Sequence, residues 1–175
     1  MIEGENEFMT DVLFYQNYTY VADISAIVLC IICWLLLHSS YTVREKSLII
    51  FKAGTVCLMM ATVCSISFHT AITRITESRK ILIYVLQDGI YLLLILTFVL
   101  LCNYFGTLLK LEERPARLLG AVSWGGYAVF AFLEIGSPFT HLGFYIDADL
   151  MVHQNFYFDP FRFAYIYYCI VLVVV

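Results

Sequence analysis

His69 and Asp88 are ionisable residues set inside or beside long stretches that carry no other charge. Ionisable side chains at membrane depth are costly and are functional candidates by default. These two fall on neighbouring apolar segments, where they can form a functional pair or a structural polar clamp between helices. A second group lies in 136–160, where His141, Tyr145 and Asp147 sit among Phe139, Phe144, Phe156, Tyr157 and Phe158. Such a segment suits either an aromatic belt at the water–lipid interface or an outward-facing lid and binding surface. Histidine and aspartate are also zinc-ligand types, but His141, Asp147, Asp149 and His153 match no familiar ligand spacing. Haem fits no better, since His38 and His69 fall toward opposite membrane faces. The six cysteines (30, 33, 57, 64, 102 and 169) all lie in apolar stretches, where cysteine packs as a small apolar side chain. The chain has no Gly-rich phosphate loop ending in Lys, no H-E-x-x-H and no G-x-S-x-G. No catalytic residue, metal or cofactor is therefore assigned.

The elements that position these residues follow from composition. Of 175 residues, 62% are hydrophobic and 14% charged, with a net charge of −4. Soluble domains run at roughly 45–50% apolar and about 25% charged. The mean hydropathy of +0.84 agrees. A soluble enzyme, a nucleic-acid binder and a disordered chain are excluded. No Asp, Glu, Lys or Arg occurs in 24–43, 53–73, 89–109 or 118–133, and the chain is again apolar after Arg162. Backbone polar groups in hydrocarbon must be satisfied within their own segment, so such stretches are helices. The expected architecture is an all-α, polytopic membrane bundle with about five transmembrane helices. Its spans lie near 20–38, 48–72, 81–107, 118–135 and 161–175, after an N-terminal segment 1–19 and with an outer loop 136–160. The last span is only ~22 Å long at about 1.5 Å per residue, against ~30 Å of hydrocarbon. The expectation is a fragment cut within a helix.

Orientation is set by Lys and Arg in short loops. One side carries Arg44, Lys46, Lys52, Lys110, Arg114 and Arg117; the other carries Arg74, Arg79, Lys80 and Arg162. The N-terminal segment is acidic (Glu3, Glu5, Glu7, Asp11) and carries no signal-peptide pattern. These counts predict a multi-pass protein of the cell membrane with an extracytoplasmic N-terminus. With alternating helix direction, Asp23, His69, Asp88 and Glu134 all share the side of the 136–160 loop. Asp23 and Glu134 read as ordinary helix-end placements. Gly120, Ser123, Gly125 and Gly126 in the fourth span are a close-packing feature.

The stretch Gly136-Ser137-Pro138-Phe139-Thr140-His141-Leu142, followed by Phe144-Tyr145-Ile146-Asp147, resembles the outer loop of N-terminal multi-helix membrane sensor regions in bacterial, chiefly clostridial, signalling proteins. The resemblance implies several spans with short basic inner loops, then a cytoplasmic GGDEF diguanylate cyclase, with or without an EAL phosphodiesterase, or a histidine kinase. It also implies a homodimer. No GGDEF, EAL or kinase motif occurs in this chain, so no enzymatic activity is assigned to it. The expected function is a sensory or anchoring region that relays an unknown small-molecule or physical stimulus. His69, Asp88, His141, Tyr145 and Asp147 are the expected sensing residues, the bilayer is the expected partner, and no nucleic acid is expected. The alternative is a small transporter or channel subunit, which requires a polar path from face to face; an integral-membrane enzyme would require paired catalytic groups in one cavity.

Overall fold

The computed structural model describes residues 21–36, 46–73, 75–109, 111–141, 144–147, 152–154 and 159–174. The N-terminal segment, His38, Arg44, Arg74, Lys110, Asp149 and 156–158 lie outside these residues. Within them the chain forms helices α1 (Val21–Leu36), α2 (Lys46–Ile72), α3 (Lys80–Leu108), α4 (Glu113–Thr140) and α5 (Pro160–Val174). A 3₁₀ turn, Glu77–Arg79, leads into α3. Three helical stretches, Lys46–Ile72, Glu77–Leu108 and Glu113–Thr140, are long and apolar enough to cross a membrane. The shorter α1 and α5 are also apolar.

The third helix is the centre. Its buried residues Ile83, Gln87, Ile95, Val99, Cys102 and Gly106 recur at steps of three, four and eight residues, so they line one face. Ile95, Val99 and Cys102 form a core with Leu119 and Phe130 of α4 and Ala164 and Tyr168 of α5. The Tyr168 hydroxyl donates to the Ser123 carbonyl. Outward-facing residues such as Ile81, Phe132 and Phe139 are large and apolar, a surface suited to hydrocarbon rather than water. Hydroxyls within the helices bond to the preceding turn: Thr55 to the Phe51 carbonyl, Thr62 to Met59 and Thr97 to Leu93. This back-bonding lets Ser and Thr occupy apolar surroundings without a partner from another helix.

The close approach of Tyr167 on α5 to α4 depends on Gly126. A Cβ there would lie 2.5 Å from Cε1 of Tyr167, whose hydroxyl donates to the Val122 carbonyl at 2.8 Å. In Gly126→Val the ring must swing away and surrender that bond. The expected cost is about 1–3 kcal/mol in unfolding free energy, read by thermal or denaturant unfolding in detergent. Gly125→Ala is the control, because a Cβ at Gly125 meets nothing within 4 Å.

Two expectations are corrected here. The fourth helix runs to Thr140, not 135, and carries Pro138 inside it. Proline cannot donate to the carbonyl four residues back and usually ends a helix, yet α4 continues for two more residues. It closes at His141, whose φ of 54° is left-handed and whose N–H donates to the Ser137 carbonyl at 2.9 Å. The loop therefore begins at 141 rather than 136. Within this mostly helical fold the loop contains a short β-hairpin. Strand β1 (Phe144–Ile146) pairs antiparallel with β2 (Val152–Gln154), with Tyr145 opposite His153.

Candidate functional site

Alternation along β1 sends Phe144 and Ile146 to one face and Tyr145 to the other. Phe144 and Ile146 are buried with Ala71 of α2 and Ile83 of α3. The Phe144 ring meets Phe68 and Tyr84 edge-on, each at 5.8 Å between centroids. Two polar contacts fix the hairpin to the start of α3. The Ile146 N–H donates to the Tyr84 hydroxyl at 2.7 Å, and Lys80 Nζ donates to the Asp147 carbonyl at 3.0 Å.

Beneath the hairpin, between α2 and α3, lies a cavity of about 320 Å³. Ser65, Phe68 and His69 line it from α2; Gln87, Ile90 and Tyr91 from α3; Phe144 and Val152, one from each strand, roof it. Ser65 Oγ also donates to Asp23 Oδ2 at 2.8 Å, tying α1 to this end of the bundle. The Tyr91 ring is stacked on Phe161, at the start of α5, with centroids 4.4 Å apart and planes 17° from parallel. One cavity-lining ring thus touches the last helix directly.

The outer face of the hairpin carries the other expected residues. Tyr145 stacks on His153 (4.9 Å, 16°) and meets the His141 ring edge-on (4.5 Å, 72°). His153 Nε2 lies 2.8 Å from Asp147 Oδ2, an ion pair only when the imidazole is protonated. His141, Tyr145 and Asp147 are therefore brought together, with His153 as the member that links them. Among the described residues no group of three or more His, Cys, Asp or Glu side chains is placed to hold a metal ion.

No family model, no curated protein and no solved structure matches the chain. The site must be read from its own geometry.

His69 and Asp88, expected as a pair, each have other neighbours. His69 lines the cavity facing Gln87 and Tyr91, whereas Asp88 lies within electrostatic reach of Glu134 on α4, as does Asp159. Adjacent positions on a helix point about 100° apart, so Gln87 and Asp88 address different neighbours. Glu134 also departs from the expected helix-end placement. It is 2% exposed, because α4 continues past it, and its Oε2 has no hydrogen-bond partner. Ser137, one turn on, is 1% exposed with an unpartnered Oγ. Asp159 caps α5 by accepting the Phe161 N–H at 3.0 Å, and its Oδ2 lies 3.7 Å from Arg162 Nε. Gln87, Tyr91, Ser137 and the buried state of Glu134 were not legible as site features. A search for charge passes over amides and hydroxyls, and nothing local marks which face of α3 meets the cavity.

Proposed function

We propose that the chain is the integral-membrane sensory region of a bacterial signal-transduction protein, crossing the cell membrane five times with its N-terminus and hairpin outside. A stimulus at the hairpin end alters the packing of α2 on α3. The change passes to α5 and on to a dimeric cytoplasmic output domain that this sequence does not contain, of the cyclic-di-GMP or histidine-kinase kind implied by the resemblance. The observation that carries the proposal is Tyr91, which lines the cavity and stacks on Phe161 of α5. A two-state shift of the helices needs such a shared contact, because both ends must bias the same element.

The hairpin supplies the lid and the polar groups supply the recognition surface, all at one end. Between the cavity and the opposite end the bundle is filled by Ile95, Val99 and Cys102, which favours a sensor over a transporter. A smaller pocket of about 140 Å³ toward the other end is walled largely by Ile50, Phe51, Leu58, Leu100 and Leu101, and the hydroxyls of Thr55 and Thr97 in its wall are bonded to carbonyls of their own helices.

The test joins a dimeric reporter kinase to α5 in continuous helical register. Tyr91→Leu and Phe161→Leu are each expected to change basal reporter output several-fold. The double variant is expected to do no more than either alone, since an aromatic pair of this kind is worth about 0.5–1.5 kcal/mol. Additive effects, or output identical to wild type in all three, would sink the relay.

A further inference from the structure

The cavity under the hairpin combines aromatic walls with polar side chains from two helices, Ser65 and His69 of α2 and Gln87 and Tyr91 of α3. None of its lining residues is Asp, Glu, Lys or Arg, and His69 is the one lining side chain that can ionise, so a charged ligand would lose its hydration without gaining a permanent counter-charge. Phe68, Tyr91 and Phe144 give it aromatic faces from α2, α3 and the hairpin. Gln87 is 6% exposed, lines the cavity, and its amide has no hydrogen-bond partner among the described residues. An amide that faces the cavity without a protein partner is open to pair with a bound molecule. It presents a donor and an acceptor side by side. The volume of about 320 Å³ stands at the small end of ligand pockets, with room for about ten to fifteen non-hydrogen atoms.

We propose that this cavity binds a small, uncharged, planar aromatic molecule bearing an adjacent hydrogen-bond donor and acceptor, with the Gln87 amide pairing to that edge and the Phe144 side of the hairpin closing over the ring. The ligand class deepens the sensory reading and rests on it for the consequence of binding, not for binding itself. Entry of the ring between Phe68 and Tyr91 presses on the Tyr91–Phe161 stack, which turns occupancy into a displacement of α5.

The experiment uses the full chain in nanodiscs and ¹⁹F NMR with 4-fluorobenzamide as probe. Fluorobenzene lacks the polar edge, and 4-fluorobenzoate and 4-fluorobenzylamine carry charge. Saturable binding of 4-fluorobenzamide with a Kd on the order of 1 mM is expected for so small a molecule. The other three are expected to bind at least about tenfold more weakly. Gln87→Leu, which keeps the wall but removes the amide, is expected to weaken the amide probe about tenfold and leave fluorobenzene unchanged. Ile90→Trp, which fills the cavity and keeps Gln87, is expected to abolish binding, and it decides the matter if Gln87→Leu does not fold. Absence of saturable binding, equal binding of all four probes, or binding unchanged in both variants would overturn the site. Binding as expected with no change in the α5-linked reporter would leave the site standing and overturn the sensory reading instead.

Discussion

Tyr168→Ala is expected to destabilise the bundle by about 3–5 kcal/mol, the largest loss of any single truncation among the described residues. Tyr168 is fully buried in the cluster where α3, α4 and α5 meet. Its ring packs near Phe98 of α3, and its hydroxyl donates to the Ser123 carbonyl of α4. Removing it opens a void between three helices and leaves that carbonyl without its donor. Tyr168→Phe separates the two contributions. It retains the packing and is expected to cost only about 1 kcal/mol, the net worth of one hydrogen bond. Both are read as shifts in the unfolding midpoint in detergent, with helix content followed by circular dichroism. Because α5 is a short apolar helix of 15 residues, its attachment depends on such contacts more than on its own propensity. Tyr168→Ala is therefore also expected to expose α5 to proteolysis before the α2–α3 pair unfolds. Equal midpoints for Tyr168→Ala and Tyr168→Phe would show that the ring contributes little and that the core lies elsewhere.

The helices were legible where hydrophobicity alone decides them. The charge-free windows placed spans at 48–72 and 81–107, and the structure has Lys46–Ile72 and Lys80–Leu108. The fourth helix was underestimated at both ends for two reasons. Its first turn is charged and looks like a loop, yet Glu113 and Arg117 are paired at 3.0 Å as i and i+4 neighbours on the helix. At the other end Pro138 marks a stop that surrounding packing overrides. The hairpin was missed because strands of three residues are too short for alternation to stand out against aromatic-rich sequence. Within the site, residue types were readable and partnerships were not. His141, Tyr145 and Asp147 were recognisable as a group, and they meet where the end of α4 touches one face of the hairpin. The contact of Tyr91 with Phe161 joins residues far apart in sequence, and only the packing of α3 against α5 creates it. Gln87 escaped notice because an uncharged amide leaves the hydropathy of α3 almost unchanged, although its burial makes it the more informative neighbour of Asp88.

Glu134→Leu is expected to make the protein more stable, by about 1–3 kcal/mol. Glu134 Oε2 is buried and has no partner, on a side chain within reach of the Asp88 and Asp159 carboxylates. A polar group in that position gives up its hydration without replacing it. An apolar side chain of similar size keeps the contacts and removes the penalty, the outcome often found when buried polar groups are replaced by hydrophobic ones. Glu134→Ala is the counter-case, since it removes the penalty and also the volume; the void between α3 and α4 is expected to lower stability below that of Glu134→Leu by about 2 kcal/mol or more. Ser137→Ala, which removes a second unpartnered oxygen with little change of volume, is expected to be neutral or slightly stabilising. A stabilising substitution that costs activity is the usual mark of a residue kept for function. Glu134→Leu is therefore expected to raise the unfolding midpoint in nanodiscs while reducing output from the α5-linked reporter. A lower midpoint for Glu134→Leu would mean that the carboxyl is satisfied in the membrane by a bound group, and the reading of Glu134 as an unpaired acid held against its own solvation would fail.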